Sequence, residues 1–327
     1  MCDSRVVVAA MACAAVTTAT AEASNGDKCA KKCDNQRPNV IFILLDDAGY
    51  GDFGCYGQTK IETPNIDALA ARGIRFTDMY AGAPVSAPSR CTLMTGLHSG
   101  HAQIRSNDEM LSRGDVWSID AMRTNPELEG QAPMAAGTTT VATVMRDAGY
   151  RTAMIGKWGL GGPNSKSTPL DMGFDYFYGY LCQRMAQCYY PPFLYNGLER
   201  EYTANPRMNL GDKLDKGADP YDTASYKKFT GPTYSPDAIY ERIEQFVSSS
   251  VDEEFFLMWT TTIPHSALSA PDEWVAKYVE KFGDEEPVYT GKGYFPARYP
   301  KATYAAMISY LDFQIGKLVE LLKAKGL

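Results

Sequence analysis

The chain carries only three histidines, and no His-Glu-x-x-His pair among them, so a zinc-protease reading has no support. It also lacks a Gly-rich phosphate loop and a Gly-x-Ser-x-Gly turn, which leaves P-loop nucleotide and serine-hydrolase readings without a basis. Positive charge is scarce: 32 Lys and Arg face 39 Asp and Glu, a net charge of −7. Nucleic-acid binding needs a basic face, so the charge argues against that partner. An acidic chain can still take an anionic substrate when a few cations are focused in one cleft. No apolar run is long enough to span a bilayer, and no internal repeat is present. What remains is an ordinary globular composition, 45% hydrophobic and 22% charged over 327 residues, enough for one large α/β domain or two smaller ones.

The N-terminus reads as an export signal. Arg5 precedes the apolar stretch from Val6 to Val16, and Ala21-Glu-Ala23 offers a small-residue cleavage site. Residues 1–23 are therefore expected to be a signal peptide, and the protein periplasmic or secreted. A disordered tail is the alternative, because Asp3 weakens the positive start; Cys13 is a poor match to a lipoprotein cleavage site. Residues 24–37 form a polar segment, and 38–327 the domain proper. Cys29, Cys33, Cys55, Cys91, Cys182 and Cys188 follow the signal. In an oxidising compartment Cys29/Cys33 and Cys182/Cys188 are close enough in sequence to pair, and buried free thiols fit equally well.

Strand and helix signals alternate along the domain. Asn39 to Leu45 is a continuous apolar run of strand length, as expected of a strand covered on both faces. Thr63-Pro64 opens a helix with Ile66, Leu69 and Ala70 on one face, closed by Gly73. Ile74–Tyr80 reads as a strand, Thr138–Ala148 as a capped helix and Arg151–Ile155 as a strand. Ser235-Pro236 starts a helix through Val247, Glu254–Thr262 is an apolar strand, and Thr303–Lys325 a helix. This β/α order predicts an α/β fold, a mostly parallel central sheet with helices on both faces. Residues 160–235, rich in Gly, Pro, Tyr and Asn, are expected to be long loops or an insertion.

Polar residues sit where such a sheet gathers a site. Asp46-Asp47 follows the first strand, Lys157 follows the Arg151–Ile155 strand, and His265 follows the Glu254–Thr262 strand. Residues just past the carboxyl ends of parallel strands converge on one crevice. Ser86-Ala-Pro-Ser-Arg90 adds a loop-to-helix turn: Pro88 suits a first helical turn, and Ser86 lies by the positive end of the helix dipole. Arg90, one turn on, points back over the same end. Taken alone, each has an innocent explanation, a helix cap or a solvated charge; their coincidence at four element ends favours a site. Adjacent carboxylates suit a hard cation such as Ca²⁺ or Mg²⁺. Lysine and arginine would neutralise the oxygens of a tetrahedral ester, histidine would protonate the leaving oxygen, and Ser86 would be the nucleophile. The set suits phosphoryl or sulfuryl transfer from a monoester.

The order Asn39-Val-Ile-Phe-Ile-Leu-Leu-Asp-Asp-Ala-Gly-Tyr-Gly-Asp52, Thr63-Pro-Asn-Ile-Asp67, Ser86-Ala-Pro-Ser-Arg90 with Thr95-Gly96, and Gly156-Lys-Trp158 resembles the formylglycine-dependent, arylsulfatase-like sulfatases of the alkaline-phosphatase-like superfamily. The resemblance runs from about residue 38 to the C-terminus. It implies that a separate maturation enzyme oxidises Ser86 to formylglycine, and that Asp46 and Asp47 bind Ca²⁺ together with the modified Ser86. It further implies that Arg90 steadies the formylglycine hydrate, Lys157 binds sulfate and His265 assists departure of the alcohol. One hydroxyl of the hydrate attacks sulfur and releases the alcohol; the other collapses to the carbonyl and expels sulfate. His101 and Arg105 are candidate substrate contacts, structural roles for His98 and His101 being the alternative.

Two departures accompany the resemblance. Gly159 stands where many members have histidine, in Gly-Lys-Trp-His-Leu-Gly, so one helper of the nucleophile is missing or replaced. The Asp-Asn-Gly that completes the family's metal shell, and a further lysine, have no match after His265. The chain is therefore expected to be the N-terminal part of a longer enzyme, holding Ca²⁺ weakly and turning over little substrate alone. Tyr189-Tyr-Pro-Pro-Phe-Leu-Tyr195 suggests stacking on sugar rings, hence a sulfated carbohydrate, with aryl sulfates also possible substrates and core packing of the tyrosines the competing reading. A phosphatase or phosphonate monoester hydrolase, and a non-catalytic sulfated-glycan binder, are the other functional readings.

Overall fold

A computed structural model describes residues 37–110 and 118–327, with Val6–Met11 as backbone only. The expected export signal and polar segment otherwise lie outside the described residues, as do Cys29 and Cys33. In chain order the main elements are β1 (Val6–Met11), β2 (Asn39–Leu44), α1 (Pro64–Arg72), α2 (Ser86–Thr95), α3 (Ile119–Thr124), α4 (Val141–Asp147), β3 (Arg151–Lys157), β4 (Tyr176–Tyr180), β5 (Phe193–Asn196), β6 (Glu199–Tyr202), α5 (Ser235–Ser248), β7 (Phe255–Thr260), α6 (Asp272–Phe282) and α7 (Pro300–Lys325).

The strands form one sheet in the order β1-β2-β7-β3-β4-β5-β6. The first five run parallel; β5 and β6 add an antiparallel hairpin at one edge. Every residue of β7 is buried, as a central strand covered on both faces requires. Successive residues point to opposite faces: Phe255 packs edge-on against Phe246 of α5, while Phe256 stacks on Phe174. The core is thus filled from two sides of the same strand. The α/β class and the mostly parallel sheet stand as the sequence suggests.

Proline marks the first turn of α1, α5 and α7, where its missing N–H costs nothing. Helix α4 starts from a reciprocal Thr140/Thr143 capping box, so the expected helix from Thr138 begins three residues later, at Val141. Helix α1 has a cap that is remote in sequence. Asp312 of α7 accepts from the N–H groups of Asn65 and Ile66 and from the side chain of Asn65. This joins α1 to the longest helix of the fold.

One expectation is corrected. Ile74–Tyr80 is not a strand: it pairs with no neighbour among the described residues and is largely exposed, Tyr80 at 81%. Residues 160–235 are rich in loops and turns, and within them the short strands β4, β5 and β6 extend the sheet.

Candidate active site

Three parallel neighbours, β2, β7 and β3, end side by side and present Asp46, His265 and Lys157 from one edge. The Asp46 N–H donates to the carbonyl of Ile263 at 3.0 Å, fastening the exit of β2 to the exit of β7. Lys157 is aimed by the residue before it. Gly156 has φ +131°, and a Cβ there would lie 2.0 Å from the Thr260 carbonyl oxygen. Only glycine permits that approach, which turns the end of β3 inward.

Helix α2 brings the Ser86 turn to the same edge. Its cap position is Val85, which contributes no side-chain cap, and Ser86 is the first helical residue. The Ser86 hydroxyl is not spent on a backbone N–H; its oxygen accepts from Arg90 Nε at 3.0 Å. The simple cap reading therefore fails. Arg90 uses the rest of its guanidinium fork on the Lys157 carbonyl at 2.8 Å and on Asp46 Oδ1 at 3.2 Å. Lys157 Nζ donates to the other Asp46 oxygen at 2.6 Å. Ser86, Arg90, Asp46 and Lys157 are one connected cluster.

Asp46, Arg90 and Lys157 are each at most 5% exposed. Burial alone would push the Asp46 carboxyl up, but the Lys157 ammonium and the Arg90 guanidinium outweigh it and bring its pKa down to about 2. Burial lowers the Lys157 ammonium from its ordinary value, with Asp46 opposing. The trio holds two cations against one carboxylate, so it carries net positive charge in a desolvated place. That is what an incoming tetrahedral anion requires.

Asp47 faces outward instead. Its backbone lies in the left-handed region at φ 67°, and its side chain is 70% exposed. His265 Nε2 stands 3.5 Å from Asp47 Oδ2, while its Nδ1 meets the carbonyl of Ser266. Nδ1–H donates to that carbonyl, which leaves Nε2 free to carry a proton toward Asp47 or toward a leaving oxygen. Tyr189 holds the His265 backbone by a hydroxyl within hydrogen-bond distance of the Thr262 and His265 carbonyls, and Tyr294 packs edge-on against the imidazole.

Other candidates fare differently. Arg105 is committed to the carbonyls of Ala102 and Gly100, and His101 is exposed; no side-chain contact among the described residues ties either to Ser86. Tyr189, Tyr190, Phe193 and Tyr195 are all buried, which removes the proposed sugar-stacking platform: these rings are core. Cys182 and Cys188 are buried free thiols, not a pair. The sequence reading missed Asn107, whose side chain accepts from the N–H of Ala87 at 2.8 Å and tethers the following loop to the start of α2. A lone amide carries no spacing signal that would have revealed it.

Asp46, Asp47 and Ser86 offer only oxygen donors, the type a hard cation takes. Asp46 directs both oxygens at Lys157 and Arg90, and among the described residues no group of three His, Cys, Asp or Glu side chains gathers. The donor type fits calcium; a shell of about six to eight ligands needs further oxygens.

The sulfatase family model matches residues 38–327. The chain belongs to the sulfatase family. Arylsulfatase of Klebsiella aerogenes is 28% identical over 339 residues, 91% of this chain and 65% of that sulfatase. N-acetylgalactosamine-6-O-sulfatase of Bacteroides thetaiotaomicron is 38% identical over 152 residues, 44% of this chain and 26% of the relative. Among solved structures, that of Ps i-CgsB superposes with a TM-score of 0.64 at 25% identity, over 89% of this chain and 56% of the other. The phosphonate monoester hydrolase of Agrobacterium radiobacter shares the fold, with a TM-score of 0.53 at 18% identity over 88% of this chain and 60% of the other. The chain spans less than two thirds of the length of each of these proteins.

Proposed function

We propose that the protein hydrolyses sulfate monoesters of carbohydrates or aryl alcohols, using a nucleophile made from Ser86. The observation that carries this reading is the cluster in which Arg90 holds the Ser86 hydroxyl while bridging to Asp46 and Lys157. Family membership and the relative that acts on N-acetylgalactosamine-6-O-sulfate support the ester class.

The roles follow from position. Lys157 and Arg90 bind the anion's oxygens in a site where burial strengthens each interaction. Arg90 also orients the group at Ser86. His265, its ring fixed at Nδ1, protonates the departing alcohol oxygen from Nε2. Oxidation of Ser86 to formylglycine would supply, as its hydrate, a nucleophile that also offers an exit for sulfate. Ser86 is half-buried, and residues 73–85 before it are exposed or half-exposed, which suits access by a maturation enzyme. Asp46, Asp47 and the modified Ser86 would hold Ca²⁺, whose charge would favour attack on sulfur. The signal-like N-terminus supports a periplasmic or secreted location.

Matched aryl sulfate and aryl phosphate esters test the reading, with the protein co-produced with a maturation enzyme and supplied with Ca²⁺. Sulfate release that is lost in Ser86→Ala is the expected result. Phosphate release at an equal or higher rate would replace the sulfatase reading with a phosphatase one; no hydrolysis of either ester would leave a binding protein.

A further inference from the structure

Gly159 and Gln183 contend for one space two residues along the chain from Lys157. Past the paired strands β3 and β4 the chains stay bonded: Trp158 N–H donates to the Tyr180 carbonyl at 2.8 Å and Gly159 N–H to the Leu181 carbonyl at 3.1 Å. This brings Gln183 over Gly159, two residues beyond Lys157. A Cβ on Gly159 would lie 2.6 Å from Gln183 Cγ and 3.0 Å from its Cδ, and the Gly159 backbone is in the left-handed region at φ +80°. The Gln183 backbone is fixed in turn, its N–H donating to Gln131 Oε1 at 2.8 Å. Gln183 is only 7% exposed, yet its Nε2 is buried with no partner among the described residues.

A desolvated amide donor without an acceptor is costly, and folded proteins keep very few. Its persistence next to the Lys157 turn calls for an acceptor that arrives from outside. We propose that Gln183 donates from Nε2 to an oxygen of the bound sulfate ester, and that it takes over the place of the side chain that Gly159 lacks. The two positions then form an exchangeable pair: a side chain at 159 requires a small residue at 183, and glycine at 159 gives the amide its room. This inference rests on the sulfatase reading above. Gln183 acts as a binding and positioning residue; no bond is made or broken at it.

The test compares the matured wild-type protein with Gln183→Ala, Gln183→Glu, Gly159→His and the double variant Gly159→His/Gln183→Gly. Inorganic sulfate binding is read by calorimetry, turnover of an aryl sulfate by KM and kcat, and folding by thermal melting. Gln183→Ala is expected to weaken sulfate binding about tenfold or more and to raise KM without lowering the melting temperature, since it removes an unpaired polar group. Gln183→Glu, which keeps the shape but replaces the donor with a negative charge, weakens sulfate binding further. Gly159→His lowers the melting temperature, and the double variant restores it together with sulfate binding; histidine is among the residues that tolerate a left-handed backbone best. Unchanged sulfate affinity in Gln183→Ala with active wild type overturns this inference alone, as does a double variant that melts no higher than Gly159→His. Wild-type protein that neither binds sulfate nor cleaves a sulfate ester overturns the functional reading and this inference with it.

Discussion

Asp46 is the residue on which the site's electrostatics turn. It is the shared counter-ion of two cations buried beside it, so replacing it harms folding as well as ligand binding. Asp46→Ala leaves Lys157 and Arg90 desolvated without a counter-ion, and a buried pair broken in this way costs about 3–5 kcal/mol. Urea denaturation of the variant should show a midpoint lowered accordingly; a midpoint equal to that of the wild type would mean that the trio is solvated and that its charge is not focused. Asp46 and Lys157 are legible in the sequence because they sit at strand ends, where the chain order itself announces convergence, and Arg90 because it lies one turn into the helix that Ser86 opens. Gln183 and Gln131 are not, because neutral amides reached through tertiary packing leave no periodicity, charge or motif.

At the scale of elements, the long-range cap on α1 carries a separate consequence. Asp312 accepts three hydrogen bonds at the start of α1 from a position 247 residues away. Asp312→Ala unpairs the Asn65 and Ile66 N–H groups and is expected to cost about 1–3 kcal/mol, read by thermal or chemical denaturation. Burial raises the Asp312 carboxyl above its ordinary value, with the hydrogen bonds from Ile66 and Asn65 opposing. The folded state therefore favours its neutral form, and this group's contribution to stability falls as pH rises from the ordinary carboxylate value through the raised one. Asp312→Asn removes that dependence, so the melting-temperature gap between wild type and Asp312→Asn should shift toward the wild type as pH is lowered through this range. A gap that stays constant with pH would contradict it.

The same scale explains which elements the sequence discloses. β2 and β7 are continuous apolar runs, and α1 and α5 begin at Thr-Pro and Ser-Pro pairs, all local signals. Ile74–Tyr80 carries the strand-favouring residues Ile74, Phe76, Thr77 and Tyr80, but a strand exists only by pairing, and no strand lies beside it among the described residues. The β4–β6 strands are four or five residues long in a Gly-, Pro- and Tyr-rich stretch, so composition hides them; burial of Phe177, Phe193 and Tyr195 makes β4 and β5 part of the core, while β6 is the exposed outer strand.

At the scale of the whole molecule, a chain of net charge −7 concentrates two buried cations at one sheet edge and leaves Ser86 beside them. Such local positive charge on an acidic protein would favour small anions over large ones at the Ser86 cluster. Everything proposed for the reaction depends on the chemical identity of Ser86. Trypsin releases it in the peptide Phe76–Arg90, whose mass reports the modification directly. After co-production with a maturation enzyme, this peptide should show loss of a pair of hydrogens at Ser86, or the corresponding hydrate, and should react with an aldehyde probe. An unmodified serine in protein that still releases sulfate would contradict the mechanism at its centre.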